Sequence, residues 1–157
     1  MKTPEKKELR QLLVFTIAEV EMALDICCVR EVLTPQEVYS LPDSPECIEG
    51  LITLRGHVIV LFDLRKRLHG KPKEDSRKKI IICKVNQFVL GVTVEQLREI
   101  IALPEENIGP VPRVAALQMN SDLVVGLARI GERIIPILDL AYLISKKEIN
   151  ELVALRS

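Results

Sequence analysis

The sequence has no tryptophan, and its only aromatic residues are Phe15, Phe62, Phe88, Tyr39 and Tyr142. A core built from it must be aliphatic, and a row of stacking platforms for single-stranded nucleic acid is excluded. It also lacks an excess of either charge: 22 Lys and Arg face 22 Asp and Glu. That balance argues against a basic nucleic-acid stripe and against a polybasic membrane anchor. No apolar run is long enough for a membrane span, and the first ten residues are charged where a leader would be apolar. The expected protein is cytoplasmic, with no direct membrane insertion. Four cysteines occur, at 27, 28, 47 and 83, and none forms a CxxC pair. Adjacent Cys27 and Cys28 would point to opposite faces of a strand, so small buried hydrophobes in a reducing compartment are expected.

The usual chemical signatures are missing too. There is no GxGxxG, no GxxxxGK[ST], no GxSxG and no HExxH. Of the two histidines, His57 is expected on an exposed hairpin and His69 after a short helix. Glu105 and Glu106 sit in a proline loop and are most simply solvated. Nucleophile, base, metal ligands and cofactor site are all lacking, so a non-enzyme without metal or cofactor is expected.

What the chain does contain is short β-branched runs separated by turn residues, which predict strands. They fall at 12–17, 22–29, 50–55, 57–62, 80–85, 88–94, 123–127 and 133–138. Prolines at 35, 42 and 45, and again at 104, 110 and 112, predict two extended loops. Asp63 and Asp139 are placed to cap short helical segments. The first should end near Gly70, and the second should run from Leu140 to about Leu155. The run at 71–79, KPKEDSRKK, is the best linker candidate.

After that linker the pattern repeats. A shift of 68 lays residues 12–32 on 80–100, matching Arg30-Glu31-Val32 with Arg98-Glu99-Ile100. A shift of 76 lays 50–68 on 126–144, matching Gly50-Leu51 with Gly126-Leu127 and Asp63-Leu64 with Asp139-Leu140. The second copy therefore has the longer proline loop. Two copies of about four strands imply two small β barrels, each too small to be very stable alone. They should pack on an aliphatic face and leave a groove between equivalent strands. The expected organisation is one unit over 12–145, with approximate halves 12–72 and 78–145. A charged tail, 1–11, precedes it and a helical tail, 146–157, follows.

Arg55 and the pair Arg30-Glu31 are the polar residues that stand out. Arg55 precedes Gly56 at a tight hairpin turn. It could project as a forked donor, or it could be an ordinary solvated arginine.

The run from Gly50 to Arg65, GLITLRGHVIVLFDLR, resembles the signature of the CheW family, as do Val29-Arg-Glu-Val32 and Gly126-Leu-Ala-Arg-Ile-Gly131. Thr53 and Val60 depart from the usual Asn and Pro. The resemblance spans about residues 12–145. It implies a mostly β fold of two packed SH3-like five-stranded barrels, between which a terminal strand can be exchanged. It also implies a scaffold that couples chemoreceptor cytoplasmic tips to the regulatory domain of the histidine kinase CheA. Carried over by position, the receptor surface would include Val29, Glu31 and Arg55, with Leu97 and Ile100 across the groove. The kinase contact would lie around Gly126, Leu127 and Gly131. A receiver domain, found in some fused relatives, is not expected in a chain of this length. The alternative is a small-barrel binding module in another receptor–kinase or motility pathway. A nucleic-acid module is disfavoured by the neutral charge.

Overall fold

The computed structural model describes residues 8–43, 48–67, 78–113 and 122–143. Cys47, His69, Gly70, most of the charged connector, and the tail beyond Leu143 lie outside the described residues. Eleven strands are described: β1 Leu9–Ile17, β2 Val20–Asp25, β3 Val29–Leu33, β4 Ile48–Leu54, β5 His57–Asp63, β6 Lys79–Val85, β7 Phe88–Val94, β8 Gln96–Pro104, β9 Ile108–Gly109, β10 Val124–Ile130 and β11 Arg133–Leu138. One short helix, α1 Leu64–Arg67, follows β5. The helical segment expected from Leu140 begins as a 3-10 turn, Leu140–Leu143.

The strands form two sheets, ordered β8-β1-β2-β11-β10-β9 and β3-β6-β7-β5-β4. The first has six strands rather than the expected five, because the proline loop of the second copy contributes β9. Each sheet takes one hairpin from the other half of the sequence: β1-β2 joins strands of the second copy, and β6-β7 joins strands of the first. The junctions are parallel, β11 with β2 and β5 with β7, and they are repeat mates. Ile137 pairs with Ala23 in one, and Leu61 with Gly91 in the other.

This exchange explains the unbroken apolar runs Leu12-Leu-Val-Phe15 in β1 and Ile80-Ile-Ile-Cys83 in β6. A strand covered on both faces has no reason to alternate. Leu12 and Val14 of β1 point into a cluster with Ala23, Leu103, Ala128, Ile135 and Ile137, the interior of the first sheet. Their repeat mates Ile80 and Ile82 point into the interior of the second, with Ile52, Ile59 and Leu61. The intervening residues Leu13, Phe15 and Ile17, and their mates Ile81, Cys83 and Val85, share one larger cluster at the seam. Two interiors and one apolar seam, which buries Phe15 among its aliphatic residues, are thus built from the same pair of strands. Edge strands close each interior: Leu33 of β3 and Leu54 of β4 pack on the same second-sheet cluster.

Gly91 is required by this packing. A Cβ there would sit 2.9 Å from Leu61 Cδ1 and 3.4 Å from side-chain atoms of Ile80 and Ile82. Its mate Ala23 keeps a methyl and is fully buried. Gly91→Ala is expected to overpack the second interior and cost about 1–3 kcal/mol in urea unfolding, with the slope unchanged.

Two expectations need correction. The run 22–29 is not one strand; it breaks at a 3-10 turn, Ile26–Cys28, between β2 and β3. The Asp25 side chain accepts from the Cys27 backbone N–H at 3.0 Å, which tightens the turn and carries the chain from one sheet to the other. Cys27 and Cys28 therefore do not alternate across a strand, and Cys27 is exposed rather than buried. The segment between 94 and Pro104, which the sequence pattern leaves unassigned, is the nine-residue edge strand β8.

Candidate functional site

The repeated Arg-Glu dipeptide marks a repeated backbone irregularity. In β3 the register runs Val29 to Cys83 and then Glu31 to Ile82, so Arg30 is an extra, bulged residue. In β8 it runs Leu97 to Phe15 and then Glu99 to Val14, so Arg98 is bulged in the same way. Paired residues share a side of the sheet. The bulge therefore sends Val29 and Leu97 toward the seam and the following glutamate toward the barrel side. Val29 and Leu97 both pack against the seam cluster, from opposite sheets. Further out on the same side, Val32 and its mate Ile100 are 38% and 59% exposed. Two equivalent edge strands thus leave apolar side chains uncovered on the face where the sheets meet.

Glu31 reaches the tip of the β4-β5 hairpin. Arg55 donates to it through both terminal nitrogens, at 2.6 and 2.8 Å. The fork is bidentate, a geometry that fixes orientation as well as charge. The arginine's hydrogen bond, aided by its charge, lowers the Glu31 pKa. The same bond raises that of Arg55. The Arg55 side chain remains 71% exposed.

Arg55 adopts φ 51° and Gly56 φ 80°. A two-residue hairpin turn with both φ values positive normally carries Asn-Gly or Gly-Gly, because a Cβ is strained there. The repeat mate of Arg55 is Gly131, at φ 58°. The second copy uses the unstrained residue, and the first holds an arginine in its place. Strain retained by one copy points to a use for the side chain. Arg55→Gly is therefore expected to leave the melting temperature unchanged or slightly raised in calorimetry. A fall of more than about 4 °C would make the Glu31 pair a structural brace.

The second copy has a counterpart that sequence reasoning missed. Glu99 accepts from Arg133 at 2.9 Å, and Arg133 also donates to Glu21 at 3.0 and 3.2 Å. Arg98 lies 3.8 Å from Glu21. These hydrogen bonds, first Glu99 and then Glu21, raise the pKa of Arg133. The signal was available: Glu99 is the mate of Glu31, so a cation from the matching hairpin was to be sought.

The residues around the β10-β11 hairpin are placed differently from one another. Gly126 is buried, and a Cβ there would lie 3.3 Å from the carbonyl oxygen of Gly109 on the antiparallel neighbour β9. Its mate Gly50 lies under Tyr39, whose carbonyl oxygen would be 2.5 Å from a Cβ. The repeated Gly-Leu thus admits a close antiparallel neighbour in both copies, Gly109 opposite Leu127 and Tyr39 opposite Leu51. Leu127 is half-buried, and Gly131 is exposed at the turn. His57 is exposed at the start of β5.

Among the described residues no group of three His, Cys, Asp or Glu side chains could hold a metal ion, and no helix is long and apolar enough to cross a membrane.

Comparison with known proteins bears on the family and the fold. The model of the CheW-like domain matches residues 11–148. The probable chemotaxis protein CheW of Rhizobium etli is 31% identical over 88% of this chain and 90% of its own. The chemotaxis protein CheW of Klebsiella aerogenes is 28% identical over 88% of this chain and 84% of its own. Among solved structures, the scaffolding protein TtCheW from Thermoanaerobacter tengcongensis superposes with a TM-score of 0.82 at 32% identity, covering 89% of this chain and 95% of that one.

Proposed function

The chain belongs to the CheW family, and from that premise we propose that it is a non-catalytic scaffold coupling chemoreceptors to the histidine kinase CheA. Residues 12–145 would act as one unit in the cytoplasm, held at membrane receptor arrays through its partners. The observation that supports this reading best is the pair of equivalent apolar strips, Val29 with Val32 and Leu97 with Ile100, on either side of the seam. Chemoreceptor tips are helical, and an amphipathic helix laid in such a groove would bury apolar side chains from both sheets. The Glu31–Arg55 fork beside the groove would set register and select among helices. The kinase regulatory domain would meet the barrel end near Leu127 and Gly131. Gly126 would support that end from beneath, since it is buried.

Co-sedimentation with a receptor signalling fragment and a CheA-type regulatory domain tests the proposal. A ternary complex is expected, with each partner also binding alone. Failure to bind either partner would sink it.

A further inference from the structure

Two cysteines meet where the chain crosses from one sheet to the other. Cys28 ends the 3-10 turn between β2 and β3, and the next residue, Val29, is the register partner of Cys83 on β6. Cys28 packs against the seam cluster to which Cys83 belongs. Each thiol perturbs the titration of the other. Their exposure differs. Cys83 is fully buried. Cys28 is half-buried and lines an open cleft of about 380 Å³, together with Arg10, Asp25, Lys84 and Asp139. A small polar molecule can therefore reach one thiol of the pair, while the second waits behind it.

The electrostatics separate the two thiols further. The hydrogen bond from Cys83 lowers the pKa of Cys28, against burial and the carboxylates of Asp25 and Asp139, which raise it. That same bond, followed by burial, pushes Cys83 up. The thiolate is the reactive form, so these opposite shifts favour Cys28 over Cys83 as the attacking sulfur.

We propose that Cys28 and Cys83 are a reversible oxidation site for small hydroperoxides, with Cys28 attacking and Cys83 resolving. The Cys28 thiolate attacks one oxygen of hydrogen peroxide, and the O–O bond breaks. Cys28 becomes a sulfenic acid, and the departing hydroxide takes a proton to leave as water. The Cys83 sulfur then attacks the Cys28 sulfur. The S–O bond breaks, a second water leaves with the Cys83 proton, and a disulfide remains. Two thiols and one peroxide give one disulfide and two waters, and an external thiol reverses the change. The new bond would tie the start of β3, with Val29 and Glu31, to the central strand β6. This site stands on the placement of Cys28 beside Cys83 at the seam and does not depend on the proposed partners.

The test uses the whole chain with hydrogen peroxide as the probe, followed by digestion and mass spectrometry. The expected product joins the peptides of Cys28 and Cys83 within one chain, and dithiothreitol removes the link. Cys83→Ala should stop the reaction at the Cys28 sulfenic acid, trapped by dimedone. A variant with Cys27→Ser and Cys47→Ser should still lose both remaining thiols without dimerising. Oxidation of Cys28 to sulfinic acid while Cys83 stays free would overturn the proposal. So would absence of the dimedone adduct in Cys83→Ala.

Discussion

Replacing Asp63 by alanine is expected to destabilise the protein by about 3–5 kcal/mol, while the same change at Asp139 is expected to cost about 1 kcal/mol. The two aspartates are repeat mates and do the same local job. Asp63 accepts from the backbone N–H of Arg65, and Asp139 from that of Ala141, each at 2.9 Å. The copies then diverge. Arg65 turns back onto Asp63, with Nε 3.3 Å from Oδ1 and a terminal nitrogen 3.4 Å from Oδ2. Both side chains are almost wholly buried, at 4% and 6% exposure. Ala141 offers no such partner, and Asp139 is only half-buried. Removing Asp139 loses a cap. Removing Asp63 loses a cap and also withdraws a counter-charge that lies against a guanidinium shut away from water. Urea unfolding of the two variants measures the difference directly. Asp63→Asn separates the contributions, because it can keep the backbone hydrogen bond and lacks only the charge. Equal losses at the two aspartates would show that the buried pair contributes nothing net.

How much of this was legible in the sequence depends on where each residue's partners lie. The repeat was legible, because mates such as Ile59 and Ile135, or Leu61 and Ile137, occupy equivalent interior positions and face the same packing demand. The capping aspartates and the turn at Arg55-Gly56 were legible because their partners lie within a few residues. β8 was not. Its alternation is interrupted by the bulge at Arg98, and most of its positions are exposed, so a period of two does not emerge. The break at Ile26–Cys28 was hidden because the run stays apolar through it, with Asp25 as the one sign of a turn. The hairpin exchange was only partly foreseeable. The resemblance allowed one exchanged strand, but β2 and β7 have nearly the same apolar pattern. Nothing local decides which of β5 and β11 each will join. That choice rests on shape, with Gly91 admitting Leu61 where Ala23 meets Ile137. At the candidate site, Glu31 and Arg55 were both singled out, yet their direct pairing was not. It requires the bulge at Arg30 and the positive φ of Arg55 together.

Exchanging the two charges of that pair, Glu31→Arg with Arg55→Glu, is expected to keep the fold and abolish most of the proposed receptor binding. Arg55 is exposed and Glu31 half-buried, so the exchange keeps the two charges paired at the surface. A swapped fork can close across the same gap between β3 and the hairpin tip. If the pair served only to hold that tip, the swap would restore the melting temperature and binding together. If the charges are read by a helix in the groove, the swap restores the first and not the second. Like charges would then face each other across the contact, and wrong pairings of this kind are strongly penalised. Calorimetry should place the double variant within about 3 °C of the parent. Titration with the receptor fragment should show binding weaker by at least about tenfold, with each single variant also impaired. Binding of the kinase regulatory domain should be unchanged, since its proposed contact lies on the β10-β11 hairpin of the other sheet. A double variant that binds the receptor fragment as well as the parent would reduce Glu31 and Arg55 to a hairpin tie. The groove itself would then rest on Val29, Val32, Leu97 and Ile100 alone.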